Sequence, residues 1–246
     1  MFEATANRMK AFEHLEGLLL PPEMHTVVRM ELVGADDLFG DEALGLAGPL
    51  DGRFGKAMLK TAAYLVGENP ESLFAYAAGD ELALLLDVES FLDRRSPRTL
   101  VARFASMASG KASVLFERPV RFDCRVYSLP TEEQAADFFA WRQHAYAEWI
   151  KLTYCEEVMI ANGGDATSTR KIVCELSGEE MMGIIEDNGV DWGAIPAWRR
   201  RGAGIYWAPE PAGASPGPNG TGPALMIDTD LPDGDDYRLY IQRFLT

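Results

Sequence analysis

Cysteine and histidine are scarce, with three of each in 246 residues. Cys124, Cys155 and Cys174 show no C-x-x-C spacing, and His14, His25 and His144 stand apart, which argues against a structural zinc site and a disulfide framework. A reducing cytoplasm is the compartment this usage suggests. No stretch approaches the roughly 20 apolar residues of a membrane span. Met1-Phe2-Glu3 runs into charged residues and not into an apolar signal-peptide core. Basic side chains are also few: 23 Lys and Arg stand against 38 Asp and Glu, for a net charge of −15 and a pI near 4.6. Binding to nucleic acid through counterion release starts at a disadvantage, so any such contact must be a local patch. Apolar residues are plentiful at 47%, enough for one large domain or two small ones.

The informative stretch is Ala75–Leu86, where Tyr76-Ala77-Ala78 enters a Gly79-Asp80-Glu81 turn and a continuous apolar run leaves it. This predicts a buried hairpin with two carboxylates at its tip. A second strand, Thr26-Val27-Val28-Arg29-Met30-Glu31, also ends on an acid. Two central strands each delivering a carboxylate to one sheet edge suit divalent cations and nucleotidyl transfer, with a solvated acidic turn as the plain alternative. Around this pair the periodicity predicts a helix over 5–18, one from Asp51 (as N-cap) through Leu65, and one over about 98–110. Ser113–Phe116 reads as a strand and Phe122–Leu129 as a further apolar stretch. The order β-α-β-β-α-β is that of a ferredoxin-like palm. Helices are expected over 132–150, 165–176 and 178–187, the last closed by Gly189, then a flexible loop at 208–223, a strand at 224–228 and an apolar ending at 237–245. Residues 1–130 form the expected palm and 131–246 a mostly helical C-terminal part.

Several motifs recur in order along the chain. They are Arg8-Met9-Lys10-x-Phe12-Glu13, Pro49-Leu50-Asp51-x-Arg53-Phe54, Ala75-Tyr76-x-x-Gly79-Asp80-Glu81, Arg94-Arg95, Phe122-Asp123-x-Arg125-Val126 and Trp141-Arg142-Gln143. The last is Pro196-x-Trp198-x-x-x-Gly202-x-Gly204-Ile205-Tyr206-Trp207. Collinear over nearly the whole chain, they resemble the tRNA-histidine guanylyltransferases, specifically the bacterial and archaeal guanylyltransferase-like branch. The resemblance implies an α+β fold with a polymerase- or cyclase-type palm, an antiparallel sheet with helices on one face. It also implies addition of nucleotides to RNA 5′ ends, tRNA above all, in the 3′–5′ direction. Two Mg²⁺ ions, ATP or GTP and a homo-oligomer (a tetramer) come with it.

Carried over by position, Glu31 and Asp80 fall on the metal-binding and catalytic acids, and Leu32 on a glycine whose carbonyl completes the metal site. Val33, Gly34 and Ala35 fall on the nucleotide cradle, where the family's Asp-Gly-Arg-x-Phe reads Glu31-Leu32-Val33-Gly34-Ala35. The longer Glu31 side chain displaces a metal by about an ångström, and misplacement on that scale can cost ~10²-fold. Leu32 lacks the positive-φ freedom of glycine. Thr99, Ala147-Glu148-Trp149 and Met181 replace groups expected near phosphate or base. Glu81 and Arg29 are expected to support the acids, Arg29 sharing a strand face with Glu31. Arg142 and Gln143 can reach RNA or serve packing and ion pairing. Arg199, Arg200 and Arg201, beside aromatics, form the one concentrated basic patch and suit RNA contact, with a plain surface loop as the alternative. The leading function is RNA 5′-end nucleotidyl transfer. The alternatives are a family member without catalysis that binds, regulates or assembles, and a nucleotide cyclase on the same palm.

Overall fold

β1 (His25–Val33) is buried from Thr26 through Met30, because it lies inside a sheet that is covered on both faces. The computed structural model describes residues 2–15, 17–89, 96–208 and 224–245. Six antiparallel strands run in the order β4-β1-β3-β2-β5-β6. Here β2 is Ser72–Ala78, β3 Glu81–Leu86, β4 Arg121–Leu129, β5 Ala203–Trp207 and β6 Leu225–Asp228. Burial on both faces explains why β3 reads as an unbroken apolar run and not as an alternation.

On the first face Val28, Met30, Leu82 and Leu84 pack against α3 (Gly52–Glu68) and α4 (Pro97–Leu115), through Phe54, Met58, Leu65, Leu100 and Phe104. Asp51 caps α3 as expected, accepting the amide of Arg53 at 2.8 Å. On the second face Val27, Phe74, Tyr76 and Leu85 meet Phe138 and Phe139 of α5 (Glu132–Ala161) and Tyr237 and Ile241 of α9 (Gly234–Gln242). The palm helices therefore lie on one face, and the C-terminal half supplies the cover for the other together with the last two strands. The far end of α5 holds α6 (Ala166–Val173) and α7 (Gly178–Asp187) around Cys155, Val173, Met181 and Ile185.

Two expected elements differ. Ser113–Phe116 is not a strand: the segment belongs to α4, whose buried stripe Leu100, Phe104, Ala108, Ala112 and its cap Phe116 continues at four-residue spacing. Val114, which made the segment look strand-like, points outward at 73% exposure. The helix expected over 5–18 is α1 (Phe2–Lys10) only: the chain leaves it through turns in which the Phe12 and Glu13 amides donate to the Met9 and Lys10 carbonyls, and Leu15 and Gly17 beyond take positive φ. Arg94-Arg95 and residues 209–223 of the expected loop lie outside the described residues.

Candidate active site

The strand register gathers the acids. Glu31 stands opposite Glu81 in β3 and opposite Asp123 in β4, while Arg29 stands opposite Ala83 and Arg125. This leaves a carboxylate row beside a guanidinium row on the second face, where the apolar cover of α5 and α9 stops. Like charges directly across a ladder repel, so the rows are stable through contacts between them. Arg29 donates from Nε to Glu81 at 2.7 Å and from Nη2 to Glu31 at 2.9 Å. Arg125 meets Asp123 at 3.2 Å. From above, Arg142 of α5 donates to both oxygens of Glu81, Nε at 2.7 Å and Nη2 at 2.5 Å. The carboxylate of Glu81 is thus clamped between two guanidinia in a residue only 5% exposed.

Asp80 sits at the turn between β2 and β3, where Gly79 takes φ 56°. That turn is fixed to β1 by the Leu32 amide, which donates to the Asp80 carbonyl at 2.9 Å. Burial, with Glu31 and Glu81 adding like charge, pushes the Asp80 carboxyl up to about 6. Two clefts meet at this side chain. One, of about 230 Å³, is lined by Arg29, Glu31, Glu81, Arg142, Tyr146 and Trp149. The other, of about 660 Å³, is lined by Leu32, Gly34, Ala35, Phe39, Phe54 and Trp149, with Asp36, Glu156 and Arg170 among its polar groups.

Leu32 stays in extended β1 and is 4% exposed, so the chain turns two residues later, at Gly34 with φ 73°. A side chain added at Gly34 would meet Asp37 Oδ2 at 2.9 Å. Val33 is 46% exposed, and Ala35 opens the short α2 (Ala35–Phe39), whose first turn carries Asp36 and Asp37. The position that the family pattern gives to an arginine is thus the exposed Val33, and two acids, Asp36 and Asp37, follow in α2.

The remaining expected residues fall in three places. Arg142 turns inward onto Glu81, and Gln143 is buried, donating to the Pro232 carbonyl at 2.9 Å. Arg199, Arg200 and Arg201 form α8 (Ala197–Arg201) and diverge. Arg199 lies over the Trp198 ring at 5.3 Å, Arg200 binds the Ile195 carbonyl at 2.9 Å, and Arg201 reaches Asp230 and Asp233 at 3.1 and 3.4 Å. Met181 is buried in the α5–α7 core. One site residue had no signal of its own in the sequence, Tyr146; it stacks at 5.7 Å and 28° on Trp149, one of the positions the resemblance sets near phosphate or base, and both rings lie over Gly79. The three-residue spacing of Tyr146 and Trp149 on a long helix puts them on a shared face.

Glu31 and Asp80 offer hard oxygen donors on adjoining strand ends, and below about pH 6 a cation arriving at Asp80 would have to displace its proton. Among the described residues no group of three or more His, Cys, Asp or Glu side chains is gathered to hold a metal. Such a donor set suits Mg²⁺, which takes one or two carboxylates and fills its shell with water and phosphate, better than a closed cage.

An antiparallel palm with an acid at the end of each of two neighbouring central strands places the chain among the palm-type α+β proteins. The model of the tRNAHis guanylyltransferase family matches residues 6–130, about half the chain, and the chain belongs to that family. A tRNA(His) guanylyltransferase of Debaryomyces hansenii is 31% identical over 146 residues, 55% of this chain and 54% of that protein. Arabidopsis thaliana tRNA(His) guanylyltransferase 1 is 22% identical over 168 residues, 64% of this chain and 30% of its own length. The chain thus spans about half the length of the first curated relative and under a third of the second. The fold matches a bacterial tRNA(His) guanylyltransferase-like protein in complex with GTP, with TM-score 0.76 at 22% identity, covering 98% of this chain and 99% of that one. It also matches the Saccharomyces cerevisiae tRNA(His) guanylyltransferase, with TM-score 0.71 at 20% identity over 80% and 91% of the two chains.

Proposed function

We propose that this chain is a nucleotidyltransferase that joins the nucleotide of ATP or GTP to the 5′ end of an RNA, tRNA first, in the 3′–5′ direction. The supporting observation is that Glu31 and Asp80 line one cleft, which meets a second at Asp80, on strand ends tied together by the Leu32–Asp80 hydrogen bond. In this reading residues 1–130 carry the palm and 131–246 complete and cover it. Glu31, Asp80 and the Leu32 carbonyl would hold two Mg²⁺ ions, which supply charge neutralisation for attack and departure at phosphorus. Arg29 holds Glu31 by its carboxylate, and Glu81 with Arg142 holds Arg29. Val33, Gly34 and Ala35 border the triphosphate. Arg142 and Gln143 serve by position, and Arg199, Arg200 and Arg201 approach the RNA. Assembly into a homo-oligomer and a cytoplasmic location belong to the same reading. Among the described residues no helix is long and apolar enough to cross a membrane.

Calorimetric titration of GTP and ATP, with and without Mg²⁺, into the wild type and Asp80→Ala tests this. Mg²⁺-dependent binding by the wild type and its loss in the variant are expected. Absence of nucleotide binding by the wild type would overturn the proposal.

A further inference from the structure

Among the described residues the larger cleft at Asp80 is short of cations. Arg170 is the one basic residue among those lining it, and its guanidinium is held by Glu156 at 2.6 Å. The guanidinia of the smaller cleft, Arg29 and Arg142, are both held by Glu81. Among the described residues a triphosphate therefore finds little unspent positive charge beyond any cation held at Glu31 and Asp80, and part of its affinity must come from elsewhere. The walls supply apolar surface: Leu32, Ala35, Phe39 and Phe54 on one side, with α5 opposite.

On the α5 wall, residues 149, 153 and 156 share one helix face. Two of the three are already engaged, since the Thr153 hydroxyl donates to the Trp149 carbonyl at 2.9 Å and Glu156 holds Arg170. The indole of Trp149 is what remains. It is rigidly set: Tyr146 stacks against it at 5.7 Å, and the Tyr146 hydroxyl is itself fixed to the Arg199 carbonyl at 2.9 Å. Trp149 lines the larger cleft and Tyr146 does not, so the indole stands between a fixed aromatic backing and an open space beside Asp80.

The geometry points to Trp149 as the stacking platform for the nucleobase of the triphosphate bound beside Asp80. This inference rests on the nucleotidyltransferase reading and adds which residue carries base affinity. Stacking tolerates any base because every base has a π face, so Trp149 would contribute to ATP and GTP alike. The cleft's volume, about 660 Å³, lies within the range of small-molecule sites.

The test is titration of GTP, ATP and inorganic tripolyphosphate, each with Mg²⁺, into the wild type, Trp149→Ala, Trp149→Leu and Trp149→Phe. The alanine and leucine variants are expected to bind both nucleotides about 5- to 150-fold more weakly, the span of one base–aromatic contact, and tripolyphosphate unchanged. Phenylalanine is expected to restore most of the loss, and the leucine–phenylalanine pair decides the matter if alanine fails to fold. Unchanged nucleotide affinity in the leucine variant, or an equal loss for tripolyphosphate, would overturn the stacking role while leaving the nucleotidyltransferase reading intact. A wild type that binds no nucleotide would overturn both.

Discussion

Arg142→Ala removes one of the two cations that clamp Glu81. The Glu81 side chain is 7% exposed and that of Arg142 16%, so the pair is largely shielded from water. Breaking a buried ion pair by deleting one partner costs about 3–5 kcal/mol, because the other charge is left uncompensated. Here Arg29 stays within 2.5 Å of Glu81, but it also serves Glu31 at 2.9 Å. One guanidinium would then answer two carboxylates, and the expected loss is about 2–3 kcal/mol. For a chain of this size that corresponds to about 4–12 °C in Tm. Urea unfolding of the wild type, Arg142→Ala, Glu81→Gln and the double variant at one protein concentration provides the assay. If the two residues act as a unit, the double variant loses less than the sum of the singles by more than about 1 kcal/mol. Additivity within about 0.5 kcal/mol, or an Arg142→Ala midpoint equal to the wild type, would refute the clamp.

Asp80 titrates near 6 when folded against 3.8 ordinarily, so between those values the folded state holds the extra proton. Stability from this group is therefore greatest below about pH 4 and falls as pH rises through 6, by at most about 3 kcal/mol. Asp80→Asn should be more stable than the wild type above pH 6, with the gap closing at pH 4; a gap independent of pH in thermal scans would contradict this. Gly202 takes φ 78° and ψ −177°, and an added side chain would meet the Tyr76 ring at 2.5 Å. Gly202→Ala should cost about 2 kcal/mol or more in denaturant unfolding, from backbone strain and overpacking together. Ser177 completes a capping box with Glu180 on α7, its hydroxyl accepting the Glu180 amide at 3.2 Å. Ser177→Ala should lower stability by about 1 kcal/mol, and Ser177→Asp should restore most of it.

The sheet's central strands were legible because β1 and the β2–β3 hairpin state themselves locally, through apolar runs bounded by a Gly-Asp-Glu turn. Asp51 and Gly189 marked helix ends for the same reason: each acts on its own backbone neighbours. Ser113–Phe116 misled because a short apolar run outweighed the four-residue spacing already begun at Leu100. The clamp on Glu81 was only half visible. Arg29 and Glu31 share a strand face by simple alternation, whereas Arg142 arrives from a helix 61 residues after Glu81, and no local pattern encodes that meeting. The same holds for Trp149, which gains its place beside Asp80 only through the docking of α5 over the second face of the sheet. Gly34 shows the reverse case: the turn follows the cradle pattern by two residues because Leu32 is better buried in β1 than exposed in a loop.

The central claim is transfer of a nucleotide to an RNA 5′ end, and the most direct measurement follows labelled GTP and ATP into tRNA with Mg²⁺, with the labelled position mapped by end-specific digestion. Label at the 5′ end, dependent on Mg²⁺ and absent with Asp80→Ala, is the predicted result. Label at the 3′ end, a product formed from nucleotide without RNA, or no incorporation by protein that is folded and binds nucleotide would contradict it.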